Sequence, residues 1–299
     1  MLRFSCGLWA GATLLAILTT PCTAADEPAA NQEYTLRYKF APGETIRWEV
    51  VHRGRIRSTI SGTTQAAETV SKSVKVWKIT EVKEDGAATF EHSVESVDMW
   101  HKFTGQQEVR YNSLTDTKAP LGYENVAQSI GVPLSTVTVS PRGEIISRVR
   151  LQKTQQQQNE GLMCIPLPEK PVAVGHTWSL PMPIEVPLPA GTIKRVDASQ
   201  KFTLSEVKNG VATIQVATQI LTPIRDPAIE AQLIQSQSTG FVKFDIDAGR
   251  VISQQLDVDK GVVGFSGEAS SMHCLSRFTE ELITARTETA SRPAARREL

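Results

Sequence analysis

The sequence predicts a mainly β protein of two similar antiparallel halves: a duplicated hairpin unit forming a curved sheet or half-barrel, with a few short helices. Three observations lead there. Alternation of polar and apolar residues outweighs helical periodicity along the chain. Asp85-Gly86 and Asn209-Gly210 interrupt the alternating runs, and both dipeptides accept the positive φ angles that tight hairpin turns require. Three sequence markers also occur twice, in the same order.

The first marker is Gly43-Glu44-Thr45 with Trp48 after it, echoed by Gly175-His176-Thr177-Trp178. The second is TEVKEDGAAT at 80–89, echoed by SEVKNGVAT at 205–213. The third is RGEIIS at 142–147 against AGRVIS at 248–253. These markers define a first β-rich repeat over 34–150 and a second over 164–285. Trp48 and Trp178 are the expected core anchors of the two copies.

Taken in order, residues 1–25 have the layout of a secretory signal peptide. Arg3 supplies the positive start, Leu8 to Leu18 the apolar stretch, and Thr23-Ala24-Ala25 a small-residue exit. Cys22 opens a lipidation alternative, which Pro21 directly before it disfavours. YTLRYKF, from Tyr34, places Tyr34, Leu36, Tyr38 and Phe40 on one face of a half-buried strand. A turn at Pro42-Gly43 leads to a second strand carrying Ile46, Trp48 and Val50. Residues 124–130 and the segment after Asp226-Pro227 are the helical signals, the latter with an N-cap and proline at the first helical position. The glutamine run within 151–163 reads as a linker. The proline-rich stretches that follow it read as irregular edges or covering loops, because proline cannot donate to a sheet ladder. Residues 286–299 read as a disordered tail.

Charge narrows the partners. The 299 residues hold 32 basic and 32 acidic side chains, and removing the signal peptide takes only Arg3, leaving 31 against 32. The strongly basic footprint of a nucleic-acid binder is absent. No segment after residue 25 has the length and apolarity of a transmembrane helix. Cys6 and Cys22 leave with the signal peptide. The remaining Cys164 and Cys274 suggest one disulfide in an oxidising compartment, closing a loop of about 110 residues and contributing about 4–5 kcal/mol.

No catalytic, cofactor-binding or metal signature survives inspection. Gly264-Phe265-Ser266-Gly267-Glu268 has a glutamate where a nucleophile elbow needs glycine. In EHSVESVDMWH at 91–101, His92 and Asp98 share a strand face but sit about 20 Å apart, too far for one ion. Arg53, Arg55 and Arg57 alternate onto one face and form a possible anion-binding row; the plainer reading is charge protecting an outer strand from edge-to-edge pairing.

The block PLPEKPVAVGHTW, with the duplicated hairpins, resembles uncharacterised exported bacterial β-rich proteins, a domain of unknown function. Long hairpins with few helices also resemble lipoprotein-carrier half-barrels, in which a curved sheet and covering helices enclose an apolar hollow. The expected protein is exported to the periplasm, cell surface or extracellular space. It is non-enzymatic and binds a lipid or other small apolar or amphipathic ligand, or an envelope protein, on a concave sheet. Two alternatives stay open: an envelope-acting hydrolase assembled from distant strands, and a purely structural envelope module.

Overall fold

A computed structural model describes residues 32–152, 163–188 and 191–284. The segments read as signal peptide and tail, and most of the linker, lie outside the described residues. The first half contains strands β1 (Glu33–Tyr34), β2 (Thr45–Ile60), β3 (Thr63–Val82), β4 (Ala88–Phe103) and β5 (Val109–Asn112), helix α1 (Glu124–Ser129), then β6 (Pro133–Val139) and β7 (Ile145–Arg150). The second half contains β8 (Val172–Ala173), β9 (Thr177–Pro181), β10 (Ile184–Pro187), β11 (Ile193–Val196), β12 (Ala198–Lys208), β13 (Val211–Ile220) and helix α2 (Pro227–Leu233) with a 3-10 turn, Ile234–Ser236. Strands β14 (Thr239–Asp245), β15 (Arg250–Val263) and β16 (Ser270–Leu282) complete it.

Twelve strands make one curved, unclosed antiparallel sheet in the order β7-β6-β4-β3-β2-β16-β15-β14-β13-β12-β9, with β5 flanking β4. The two halves meet where β2 pairs with β16, from Ile60 opposite Ser270 to Trp48 opposite Leu282. They therefore share a core. Trp48, Trp77, Phe90 and Val137 from the first half pack in the same cluster as Phe202, Ile214, Val242 and Phe244 from the second. Each half runs hairpin, helix, hairpin: β3–β4, α1, β6–β7, then β12–β13, α2, β14–β15. Gly86 and Gly210 lie at the first hairpin turn of each half, Gly143 and Gly249 at the second.

The YTLRYKF expectation needs correction. Leu36 and Tyr38 are buried as the alternation implies, but only Glu33–Tyr34 pairs as a strand, with β8. That pair is a separate two-stranded sheet, and the following residues thread inside the curve of the main one. Tyr38 N–H donates to Pro141 O at 2.7 Å and Lys39 N–H to Gly249 O at 3.0 Å, which holds the segment against the turns of β6–β7 and β14–β15. A Cβ on Gly143 would lie 2.7 Å from the Tyr38 ring, and one on Gly249 would lie 2.6 Å from Lys39 N. The third repeated marker thus keeps a glycine where the threaded segment passes close.

The first proline-rich stretch lines the inside of the curve, burying Cys164, Ile165 and Leu167 in the main core. The second forms the β10–β11 hairpin rather than an irregular edge, and its Val186 and Val196 pack on Ile229 and Leu233 of α2. The Asp226 carboxylate accepts from Ala228 N–H at 2.9 Å, capping α2 above Pro227. Burying Ile229 and Leu233 contributes about 1.5–3 kcal/mol each, which holds this short helix on the sheet.

The expected disulfide is not formed. Cys164 and Cys274 are free, buried thiols in different clusters: Cys164 in the main core beside Tyr38, and Cys274 under α2 with Ala231, Ile234 and Val258. Each has an apolar niche of its own.

Candidate functional site

Residues opposite one another in antiparallel strands share a face, so the register defines the concave surface. One row across it runs His101, Thr69, Gly54, Ser276, Val258. The next runs Met99, Ser71, His52, Phe278, Leu256, and the third Val97, Ser73, Val50, Glu280, Gln254. On the β4 side Val97 is covered by Tyr111, Tyr123 and α1. On the β15 side Val258 and Val262 are covered by α2 and its 3-10 turn, together with Ile56 and Phe265.

Between these two clusters lies a trough. His52 and Thr69 are exposed, while Val50, Gly54, Ser71, Ser73, Ser276 and Phe278 are half-buried. Around His52 the floor carries the short side chains of Thr69, Ser71, Ser73 and Ser276 and the bare backbone of Gly54. Phe278, Leu256, Val50 and Met99 give it apolar flanks. Partial desolvation lowers the His52 imidazole from its ordinary value.

One end of the trough is closed by the main core. There Lys75 Nζ forms an ion pair with Glu280 and sits 4.6 and 4.8 Å from the rings of Trp48 and Trp77. Gln254 donates to the second Glu280 oxygen at 2.7 Å. A cavity of about 20 Å³ borders Trp48, Trp77, Glu280 and Tyr38, room for one water molecule. The opposite rim carries Ile60 and Phe103, each exposed by 42%.

Arg53, Arg55 and Arg57 lie elsewhere. Strand β2 is central in the sheet, so they occupy the convex face and not a sheet edge, which corrects the edge-protection reading. Arg55 is paired with Glu68 at 3.2 Å, and Arg53 stands opposite Arg277, itself bound to Asp257 at 2.7 Å. The structure does not gather the three into one pocket. The polar run at 91–101 also disperses: Glu95 pairs with Arg47, Asp98 with Arg110, and His101 Nδ1 lies 2.7 Å from the Tyr123 hydroxyl. Gly264 to Gly267 form the turn between β15 and β16, where Ser266 N–H donates to Ser270 Oγ.

Burial raises the Tyr38 phenol well above its ordinary value and pushes the Cys164 thiol up to about 12, so both stay protonated. Burial first, then the charges of Lys75 and Arg148, holds His92 down to about 4. Sequence reading missed the trough because its floor comes from separate strands. The one available signal was the even parity of Val50, His52 and Gly54 behind the arginines.

No protein-family model matches the chain, and no curated protein does. Among solved structures, one of lipovitellin, concerned with lipid–protein interactions, matches with 13% identity and a TM-score of 0.44. The match covers 82% of this chain and 26% of that one, so this chain spans about a quarter of it. DynF from the dynemicin pathway of Micromonospora chersina matches with 7% identity over 88% of this chain and 92% of its own, with a TM-score of 0.20. An outer membrane lipoprotein-sorting protein domain from Vibrio parahaemolyticus matches with 10% identity over 79% and 86%, with a TM-score of 0.15. Among the described residues no helix is long and apolar enough to cross a membrane.

Proposed function

We propose that this chain is an exported, non-enzymatic binding protein whose trough takes an apolar or amphipathic ligand, a lipid or a molecule like one. The observation that carries this reading is the open floor between the α1 and α2 clusters, where Phe278, Leu256 and Val50 remain only half-buried beside short serine, threonine and glycine positions. A face with that composition gains about 25 cal/mol for each Å² of apolar surface a guest covers. The apolar rim at Ile60 and Phe103 offers such a guest an entrance. The signal-peptide layout supports export. The shared hairpin, helix, hairpin order of the halves supports descent by tandem duplication.

Expression in a bacterial periplasm followed by native mass spectrometry tests the proposal. The expected result is a population heavier than the polypeptide by the mass of a small molecule. After delipidation the same population should return on incubation with phosphatidylethanolamine–phosphatidylglycerol vesicles. A protein that stays at its bare polypeptide mass in both conditions overturns the reading.

A further inference from the structure

Among the described residues five buried side-chain polar atoms have no hydrogen-bond partner, and three of these belong to neighbouring residues. They are Trp77 Nε1 on β3, His92 Nδ1 on β4 and Ser135 Oγ on β6. Trp77 stands opposite His92, and His92 opposite Ser135, so the three form one row across three strands on the concave face. Cβ atoms of adjacent members of such a row lie about 4.5–5.5 Å apart. Strand β4 is irregular on both sides here. Its register with β6 shifts between His92 and Ser93, and its register with β3 shifts between Val74 and Lys75. Bulges re-aim side chains and interrupt the ladder, and they concentrate at sites of function.

Trp77 and Ser135 are 3% and 1% exposed, so bulk water does not satisfy them. His92 is half-buried, the most accessible residue of the three, although its Nδ1 is itself shielded from solvent. Each unsatisfied buried group disfavours the fold, and an apolar side chain in its place would not. The chemistry of the row is that of a donor set. An indole N–H only donates, a serine hydroxyl can donate, and a neutral imidazole donates from Nδ1 in one tautomer. Two cations face the row. Lys75, paired with Glu280, lies over the Trp77 ring, and Arg148 stands on β7 opposite Val137, two residues from Arg150, which stands opposite Ser135.

We infer that Trp77, His92 and Ser135 form a pocket for a compact oxyanion, a carboxylate or phosphate group, held in the field of Lys75 and Arg148. The row lies beyond the Lys75–Trp48 wall that closes the trough, so this inference does not rest on lipid binding. Oxyanions take charge-assisted hydrogen bonds from such donors, and these are stronger than neutral ones.

Indole N–H resonances of the chain from residue 26 onward provide the test. Four tryptophans remain in it, and the Trp77 resonance is the one lost in Trp77→Phe. Acetate and inorganic phosphate are titrated separately at matched ionic strength. The expected result is a saturable downfield shift of the Trp77 proton with at least one of them. The Trp48 proton, which already donates to Val251 O at 3.0 Å, should stay in place. Ser135→Ala should weaken the response about tenfold, the loss of one hydrogen bond to a charged group. His92→Phe should act in the same direction. A Trp77 resonance indifferent to both anions, a uniform drift of all four indoles, or a long-lived water contact as the sole partner of Trp77 overturns the inference.

Discussion

Lys75 and Glu280, 205 residues apart, form an ion pair inside the aromatic core with side chains 16% and 6% exposed. The pair joins β3 of the first half to β16 of the second across β2, the strand between them. Trp48 and Trp77 pack on the ammonium, and Gln254 satisfies the carboxylate oxygen that Lys75 leaves free. Replacing such a pair with apolar residues is often neutral, whereas removing one partner strands a buried charge.

Lys75→Met is therefore expected to destabilise the fold by about 3–5 kcal/mol. Lys75→Met with Glu280→Gln, which removes the stranded charge and keeps an oxygen for Gln254, should recover at least half of that loss. Urea denaturation of the two variants measures the difference. Equal losses in both would show that the lysine acts through packing alone.

The threaded segment makes a second prediction. Gly249 has φ +61°, and a Cβ there would meet Lys39 N at 2.6 Å and Arg37 O at 2.7 Å, both backbone atoms. Gly249→Ala should cost about 2–5 kcal/mol, the left-handed penalty plus displacement of that segment. Gly43 has a similar φ of +78° but open space around it, so Gly43→Ala should cost only about 1–2 kcal/mol. Thermal unfolding of both variants checks the order.

These cases show what sequence can and cannot carry. The β3–β4 and β12–β13 hairpins were legible because Asp85-Gly86 and Asn209-Gly210 are local signals. The α2 cap was legible because Asp226-Pro227 acts over a single turn. Alternation in YTLRYKF announced the burial of Leu36 and Tyr38 but not their partners, since period two reports which side is buried and not what lies against it. Strand parity put the three arginines on one face correctly. Only strand order, which adjacent residues do not encode, reveals that face as the convex middle of the sheet. The trough floor was invisible for the same reason: Ser71, Gly54, Ser276 and Phe278 are ordinary residues until β3, β2 and β16 align them.

The separate niches of the cysteines predict their reactivity. In the chain from residue 26 onward, Cys164 and Cys274 should both resist Ellman's reagent in the folded protein, because burial raises both thiols, Cys164 up to about 12. Denaturation without reductant should release two thiols per chain. Their absence would show a disulfide and oblige the two clusters to rearrange.

His92 predicts a pH dependence. Its folded value of about 4 lies below the ordinary 6.5, so between these values the unfolded chain binds the proton and the folded chain does not. Its contribution is complete above pH 6.5 and is lost as pH falls toward 4, amounting to about 3 kcal/mol across that window. His52, lowered for the same reason, adds in the same direction. Unfolding free energy measured from pH 7 to pH 4 should fall more steeply for the parent than for His92→Gln, and parallel curves would contradict this assignment.

A bulky residue on the trough floor offers the sharpest test of ligand binding. Ser71 sits mid-row between Met99 and His52, half-buried and uncapped by either helix cluster. An indole there would project into the open hollow rather than into packed core, so Ser71→Trp should fold with stability within about 1 kcal/mol of the parent, as substitutions outside a packed core usually do. It would occupy the volume above Gly54 and Phe278, and uptake of a dansyl-labelled fatty acid should fall about tenfold or more, the loss of roughly 1.4 kcal/mol of guest contact. Arg53→Ala with Arg57→Ala, on the convex face, should leave uptake unchanged. If the arginine variant loses binding and the tryptophan variant keeps it, the ligand sits on the outside of the sheet, and the concave face is only the lining of a core.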